Sequence, residues 1–218
     1  MKQLSPPSPQ DRMIQDQLVG RGIRDQRVID AMRTIPREHF FPDAIRQHAY
    51  ADKAAPIGHG QTISQPYIVA LMTQRLSLTG NERVLELGTG SGYQAAVLAK
   101  LAAEVWTVER VKPLLDEAFE RILSLGLRNV HFRHGDGTAS WPEKAPFDRI
   151  LITAGAPTLP RDLLLSSLTD GGLAILPVGP QEHQMLVEIH RHGTDLASTD
   201  ICACRFVKLI GREAWTEK

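Results

Sequence analysis

The sequence predicts a doubly wound α/β fold: a mainly parallel sheet covered by helices on both faces, a helical segment ahead of it and a hairpin-like C-terminal end. Three observations predict it. From Arg83 onward, short apolar runs alternate with amphipathic helical stretches. A glycine-rich turn follows the first of those runs directly and leads into a helix. After residue 180, two strand-like runs follow each other with no helix between them. With 218 residues, 42% hydrophobic and 23% charged, the composition is that of one globular domain. Residues 1–10 read as a flexible tail and 11–218 as the domain, in which 11–79 carries helices and a loop, 80–180 the sheet core and 181–218 the last strands.

Taken in order, 11–20 and 25–34 read as short helices, since Met13, Ile14 and Leu18, then Val28, Ile29 and Met32, recur at helical spacing. Asp25 is an expected N-cap and Pro36 a stop. Residues 50–65, with Pro56, Gly58 and Gly60, read as an irregular loop. Pro66 then opens a helix whose apolar face is Ile68, Val69, Leu71, Met72 and Leu76, which puts Ser64 at its expected N-cap. The alternation follows: strand 84–87, helix 93–101, strand 105–108, helix 112–125 stopped by Gly126, and strands 130–132, 149–153 and 173–178. The final pair is 185–191 and 201–209.

Twenty-five basic residues balance twenty-five acidic ones, which argues against a nucleic acid or a membrane surface as the main partner. No run of about 18 apolar residues exists to span a bilayer. The first residues carry no apolar stretch of the kind an export signal needs, so a cytoplasmic location is expected. Cys202 and Cys204 fall on one side of a strand, and reduced packing thiols are the expectation. None of the eight histidines forms an H-x-x-x-H pair, so no metal is implied.

The strongest motif is the turn Glu86, Leu87, Gly88, Thr89, Gly90, Ser91, Gly92. Glycines there let backbone approach a ligand and adopt positive φ. A dinucleotide fingerprint needs G-x-G-x-x-G, but Tyr93 stands where its third glycine would be. The ligand expected from G-x-G-x-G is a nucleoside without a pyrophosphate, and S-adenosylmethionine meets that requirement. Glu109, followed by Arg110, ends the second strand about 20 residues on, where a carboxylate accepts hydrogen bonds from ribose hydroxyls. Asp136, flanked by Gly135 and Gly137, follows the third strand and is suited to accept from an adenine amino group. Each acid alone is more often a solvated surface group; three at successive strand ends are not a chance arrangement.

The segment PIGHGQTISQPY at 56–67, with REHFFPDA upstream, VLELGTGSGYQAAVLA, GDG at 135–137, PFDRILITA at 146–154, LPVG and RFVKLIGREAW, resembles the protein-L-isoaspartate O-methyltransferase family over nearly the whole chain. The resemblance implies a Rossmann-like methyltransferase domain with S-adenosylmethionine as methyl donor, S-adenosylhomocysteine as product and isoaspartyl residues of damaged proteins as substrate. It makes Ser64 the active-site serine and His59, Gly60, Gln61, Thr62 and Ile63 the loop over cofactor and substrate. On the same basis Glu86, Gly88, Thr89, Gly90, Ser91, Gly92, Glu109, Arg110, Asp136 and Gly137 form the cofactor-binding set. Lys208 departs from the proline usual in the family's RFVPL segment, and AGAPTLP departs from its wording after the fourth strand.

A carboxylate with an ordinary pKa of about 4 is already ionised at neutral pH, so the chemistry asks for orientation more than for a general base. Ser64 is therefore a positioner, and His59 a loop contact before it is an acid–base group. The alternative is an S-adenosylmethionine-dependent O-methyltransferase acting on another small molecule or protein. A nicotinamide oxidoreductase is disfavoured by Tyr93, and a pocket without turnover by the intact GQTIS segment.

Overall fold

The computed structural model describes residues 6–216. Helix α1 (Pro9–Arg12) opens with Ser8 as N-cap and Asp11 completing a capping box, then widens into a π-helical turn, Met13–Leu18. The wider turn brings Met13, Ile14 and Leu18 to one buried side. The expected tail therefore ends before Ser8; its first five residues lie outside the described ones. Helix α2 (Gln26–Thr34) starts as predicted, with the Asp25 carboxylate accepting from the Arg27 and Val28 N–H groups.

Residues 50–65 are not loop throughout. Strands β1 (Ala55–Gly58) and β2 (Gln61–Ile63) pair antiparallel around Gly58, His59 and Gly60, all at positive φ. The strands are too short and too rich in turn residues to carry a period-2 signal. Helix α3 (Pro66–Arg75) follows.

The core alternates as expected: β3 (Arg83–Leu87), α4 (Tyr93–Ala99), β4 (Glu104–Glu109), α5 (Lys112–Ser124), β5 (Val130–His134), β6 (Phe147–Ile152), α6 (Arg161–Ser167), β7 (Leu168–Val178), β8 (Gln184–His192) and β9 (Asp195–Cys204). The sheet order is β5-β4-β3-β6-β7-β8-β9, parallel from β5 to β7 and antiparallel in its last two pairings. The predicted hairpin end is β8–β9, but its second strand spans Asp195–Cys204 rather than 201–209. It stops because the chain turns at Arg205 to run across the carboxyl ends of the strands, where Gly155 bridges Lys208. Cys202 and Cys204 are free thiols, half-buried against the core.

One apolar cluster joins the N-terminal helices to one face of the sheet through Met32, Phe40, Tyr93 and Val97; a second, built on Phe147, Ile150, Leu164 and Ile189, fills the other. Both faces of the central strands β3 and β4 are buried, which explains their continuous apolar runs. The chain steps outward from β3 to β4 and β5 and then crosses back to β6 on the other side of β3, so the crevice beyond β3 and β6 is the topological switch point where such sheets bind ligands.

Candidate active site

The glycine turn leaves β3 at that switch point. Gly88, Gly90 and Gly92 have φ of +101°, +52° and +91°, a region costly for residues with a Cβ. They serve two purposes. A Cβ on Gly88 would lie 2.4 Å from Thr153 Oγ1, so Gly88 permits close approach of β3 and β6. A Cβ on Gly92 would meet Ala118 Cβ at 3.0 Å and Ile122 Cδ1 at 3.2 Å: that glycine lets α5 pack, and among the described clefts it lines none.

Three adjoining clefts meet here. The first is walled by Gly88, Gly90, Glu109, Arg110, Gly137 and the C-terminal segment at Lys208, Leu209 and Ile210. The second lies between Ser64, Ile68, Cys204 and Phe206, and the third between Ser64, Thr89, Ser91 and Gln94. Among the described residues, only Thr62 and Thr153 line all three.

Glu109 is buried, and each carboxylate oxygen already accepts a backbone N–H: Oε2 from Gly90 at 2.9 Å and Oε1 from Val111 at 2.8 Å. Each oxygen keeps a lone pair for a ligand hydroxyl. Asp136 is placed differently. Its Oδ1 accepts from the Thr138 N–H (2.7 Å) and hydroxyl (2.8 Å), and its Oδ2 from the Arg212 N–H at 3.3 Å. It ties the C-terminal segment to the turn that presents Gly137, and Gly137 rather than the carboxylate forms the wall of the first cleft.

Glu86 does not reach the clefts. It is wholly buried under the turn, where Thr107 Oγ1 donates to its Oε2 at 2.5 Å and shares a further 2.5 Å hydrogen bond with Thr89 Oγ1. Oε1 has no partner. Burial pushes the carboxyl up to about 8; the Thr107 bond opposes this, and the nearby Glu109 charge reinforces it. Ser91 hydroxyl accepts from the Tyr93 N–H.

Gln61 and Thr62, on β2, overhang the first cleft; Ile63 is buried beneath the hairpin, and His59 and Gly60 form its tip, away from the junction of the clefts. His59 instead lines an open groove with His39 and Arg121. The expected N-cap at Ser64 is overturned: Gln65 occupies the cap position with no side-chain capping bond. Pro66 at the first helical turn removes one of the N–H groups a cap would serve. The Ser64 hydroxyl is left without a hydrogen bond among the described residues, and Ser64 lines two of the clefts.

What fixes Ser64 is a residue distant in the chain that no local motif marks. Arg37, fully buried, donates through Nη2 to the Ser64 carbonyl at 2.7 Å and through Nε to the Ala49 carbonyl at 2.8 Å, with its guanidinium 4.8 Å from the Tyr93 ring centre. Thr153 and the wall at 208–210 were also missed, because one is a single hydroxyl at a strand end and the other reads as strand. Among the described residues no group of three His, Cys, Asp or Glu side chains stands close enough to hold a metal ion, and no helix is long and apolar enough to cross a membrane.

The sequence model of the Protein-L-isoaspartate(D-aspartate) O-methyltransferase (PCMT) family matches residues 9–214. A relative from Geotalea uraniireducens, Protein-L-isoaspartate O-methyltransferase 2, is 54% identical over 206 residues, 94% of either chain. One from Maricaulis maris, Protein-L-isoaspartate O-methyltransferase, is 52% identical over 208 residues, 94% of this chain and 97% of its own. Among solved structures, a protein-L-isoaspartate O-methyltransferase superposes with a TM-score of 0.83 at 27% identity, over 94% of this chain and 67% of that one. A Plasmodium falciparum structure, described as the same type of enzyme in complex with S-adenosyl-L-homocysteine, gives 0.81 at 27% identity, over 94% and 99%. The glycine turn, the GQTIS hairpin and the crevice they frame thus stand in a chain that belongs to the protein-L-isoaspartate(D-aspartate) O-methyltransferase family.

Proposed function

We infer that this chain transfers a methyl group from S-adenosylmethionine to the free carboxylate of isoaspartyl residues in damaged proteins and peptides, a cytoplasmic repair activity. The observation that carries the reading is the junction of three clefts at the sheet's switch point, two of them lined by Ser64, whose hydroxyl is uncommitted among the described residues. The first cleft fits the donor: a buried carboxylate at Glu109 with spare lone pairs, and a wall of side-chain-free backbone at Gly88 and Gly90. When bound, S-adenosylmethionine supplies a methyl group on a positively charged sulfur.

The protein's own residues bind and orient. Glu109 would hold the ribose hydroxyls, Gly88 and Gly90 allow backbone approach, and Gly137 with Leu209 and Ile210 borders the rest of the cleft. The second cleft, with Ile68 and Phe206 as its apolar sides, is suited to receive the substrate chain. Ser64 donates to the substrate carboxylate and fixes one oxygen. That oxygen is ionised at neutral pH, so no residue need remove a proton, and alignment accounts for most of the rate gain. A methyl ester so formed leaves an activated carbonyl that the neighbouring backbone nitrogen attacks: the C–N bond forms, the C–OCH3 bond breaks, and methanol leaves with the nitrogen's proton as the succinimide closes.

Ser64→Ala removes one hydrogen bond to a charged group, a loss of about 1.5–3 kcal/mol. We expect kcat/KM on an isoaspartyl peptide to fall about 10- to 100-fold, with the Kd for S-adenosylmethionine by calorimetry within twofold of the unsubstituted protein. Unchanged kcat/KM would remove Ser64 from the site.

A further inference from the structure

Thr153 directly follows β6 at the switch point and lines all three clefts together with Thr62. Its hydroxyl proton is committed: Oγ1 donates to the Gly88 carbonyl at 2.7 Å and lies 3.0 Å from the Leu87 carbonyl. Its backbone N–H also bonds to the Leu87 carbonyl, at 2.9 Å, so backbone and side chain both fix its place. Among the described residues no donor reaches Oγ1. A hydroxyl has one proton and two lone pairs. With the proton turned to the glycine turn, Thr153 acts as an oxygen acceptor held at the common point of the clefts.

We propose that Thr153 Oγ1 contacts the positively charged methyl-bearing centre of the donor, and so distinguishes the charged donor from its neutral product. The proposal rests on the function inferred above. An oxygen lone pair attracts the hydrogens of a methyl group on a cationic sulfur through C–H···O contacts, individually weak but strengthened by the charge. The product carries neither that methyl nor the charge, and the same oxygen gains nothing from it. Thr153 would thereby orient the methyl toward the second cleft and favour exchange of product for fresh donor. A hydroxyl free to rotate would lack this polarity, which is why its anchoring to Gly88 matters.

The alternative role for Thr153 is structural: bracing the glycine turn against β6. The two roles predict different binding data. Calorimetry on unsubstituted protein, Thr153→Val and Thr153→Ser would measure Kd for S-adenosylmethionine and for S-adenosylhomocysteine. Valine keeps the shape and removes the oxygen. We expect Thr153→Val to weaken S-adenosylmethionine binding about fivefold, to change S-adenosylhomocysteine binding less than twofold, and Thr153→Ser to keep the ratio of the unsubstituted protein. Equal weakening of both ligands in Thr153→Val, or no change in either, overturns the proposal in favour of bracing alone. An unsubstituted protein that binds neither ligand overturns the proposed function itself, and this inference with it.

Discussion

Gly88→Ala should abolish measurable cofactor binding while leaving a folded protein. The residue sits at φ +101°, and its new Cβ would fall 2.4 Å from Thr153 Oγ1. Positive φ costs a non-glycine residue about 1–3 kcal/mol. The overlap adds to this, because Thr153 is fixed by its own bonds to Leu87 and Gly88. Relief requires β3 and β6 to part where the clefts meet. We expect the Kd for S-adenosylmethionine to rise at least about 100-fold, the equivalent of some 2.7 kcal/mol. Gly22→Ala is the control: that glycine has φ +95° with nothing within 4 Å of an added Cβ, so it should lose stability from strain and bind cofactor normally. Normal binding by Gly88→Ala would show that the turn tolerates a side chain and that the cleft is not shaped by this contact.

The second large effect is a pH dependence of stability centred on Glu86. Its ordinary value of 4.5 is raised to about 8 by burial in the fold. Between these values the folded protein holds a proton that the unfolded chain has released. Stability from this group is therefore complete below about pH 4.5 and is lost as pH rises through about 8. Between about pH 6 and pH 9 the loss amounts to roughly 2–3 kcal/mol, about 5 °C or more in Tm for a chain of this size. Glu86→Gln keeps the shape and a hydrogen-bonding oxygen but cannot ionise. Its Tm should stay level across this range relative to the unsubstituted protein. Parallel Tm curves for the two proteins would mean Glu86 is already ionised at neutral pH and its burial compensated. Glu86 is linked to the turn above it through Thr107 and Thr89.

Much of the core could be read from sequence because parallel strands buried on both faces advertise themselves as continuous apolar runs, as at Val84, Leu85 and Leu87. Asp25 was legible as a cap because an acid before an apolar-periodic stretch has a local cause. The hairpin β1–β2 was not, since its pairing depends on a turn of Gly58, His59 and Gly60 that looks like loop in one dimension. Strand β7 begins earlier than the apolar run at 173, because Gly171 and Gly172 hide its first half. Helix α6 has only seven residues, too few for two full periods.

The site was legible as a set of strand ends and illegible in its roles. Glu86, Glu109 and Asp136 look alike in the sequence, each an acid after an apolar run. Folding separates them into a wholly buried carboxyl whose pKa burial raises, a carboxylate that lines the first cleft and a tie for the C-terminal segment. Gly88 and Gly92 differ likewise, one shaped by Thr153 and the other by α5. Such distinctions depend on what lies across the fold, which no local spacing encodes. Arg37 is the clearest case, since it reaches the Ser64 carbonyl from 27 residues away.

The most direct test of the account supplies the protein with methyl-labelled S-adenosylmethionine and two peptides identical except for L-isoaspartate or L-aspartate at one position. Base-labile label is then released and counted as methanol. We predict label from the isoaspartyl peptide and background from the aspartyl one. Equal label from both, or none from either with the donor still bound, would contradict the account and leave the fold with a different substrate.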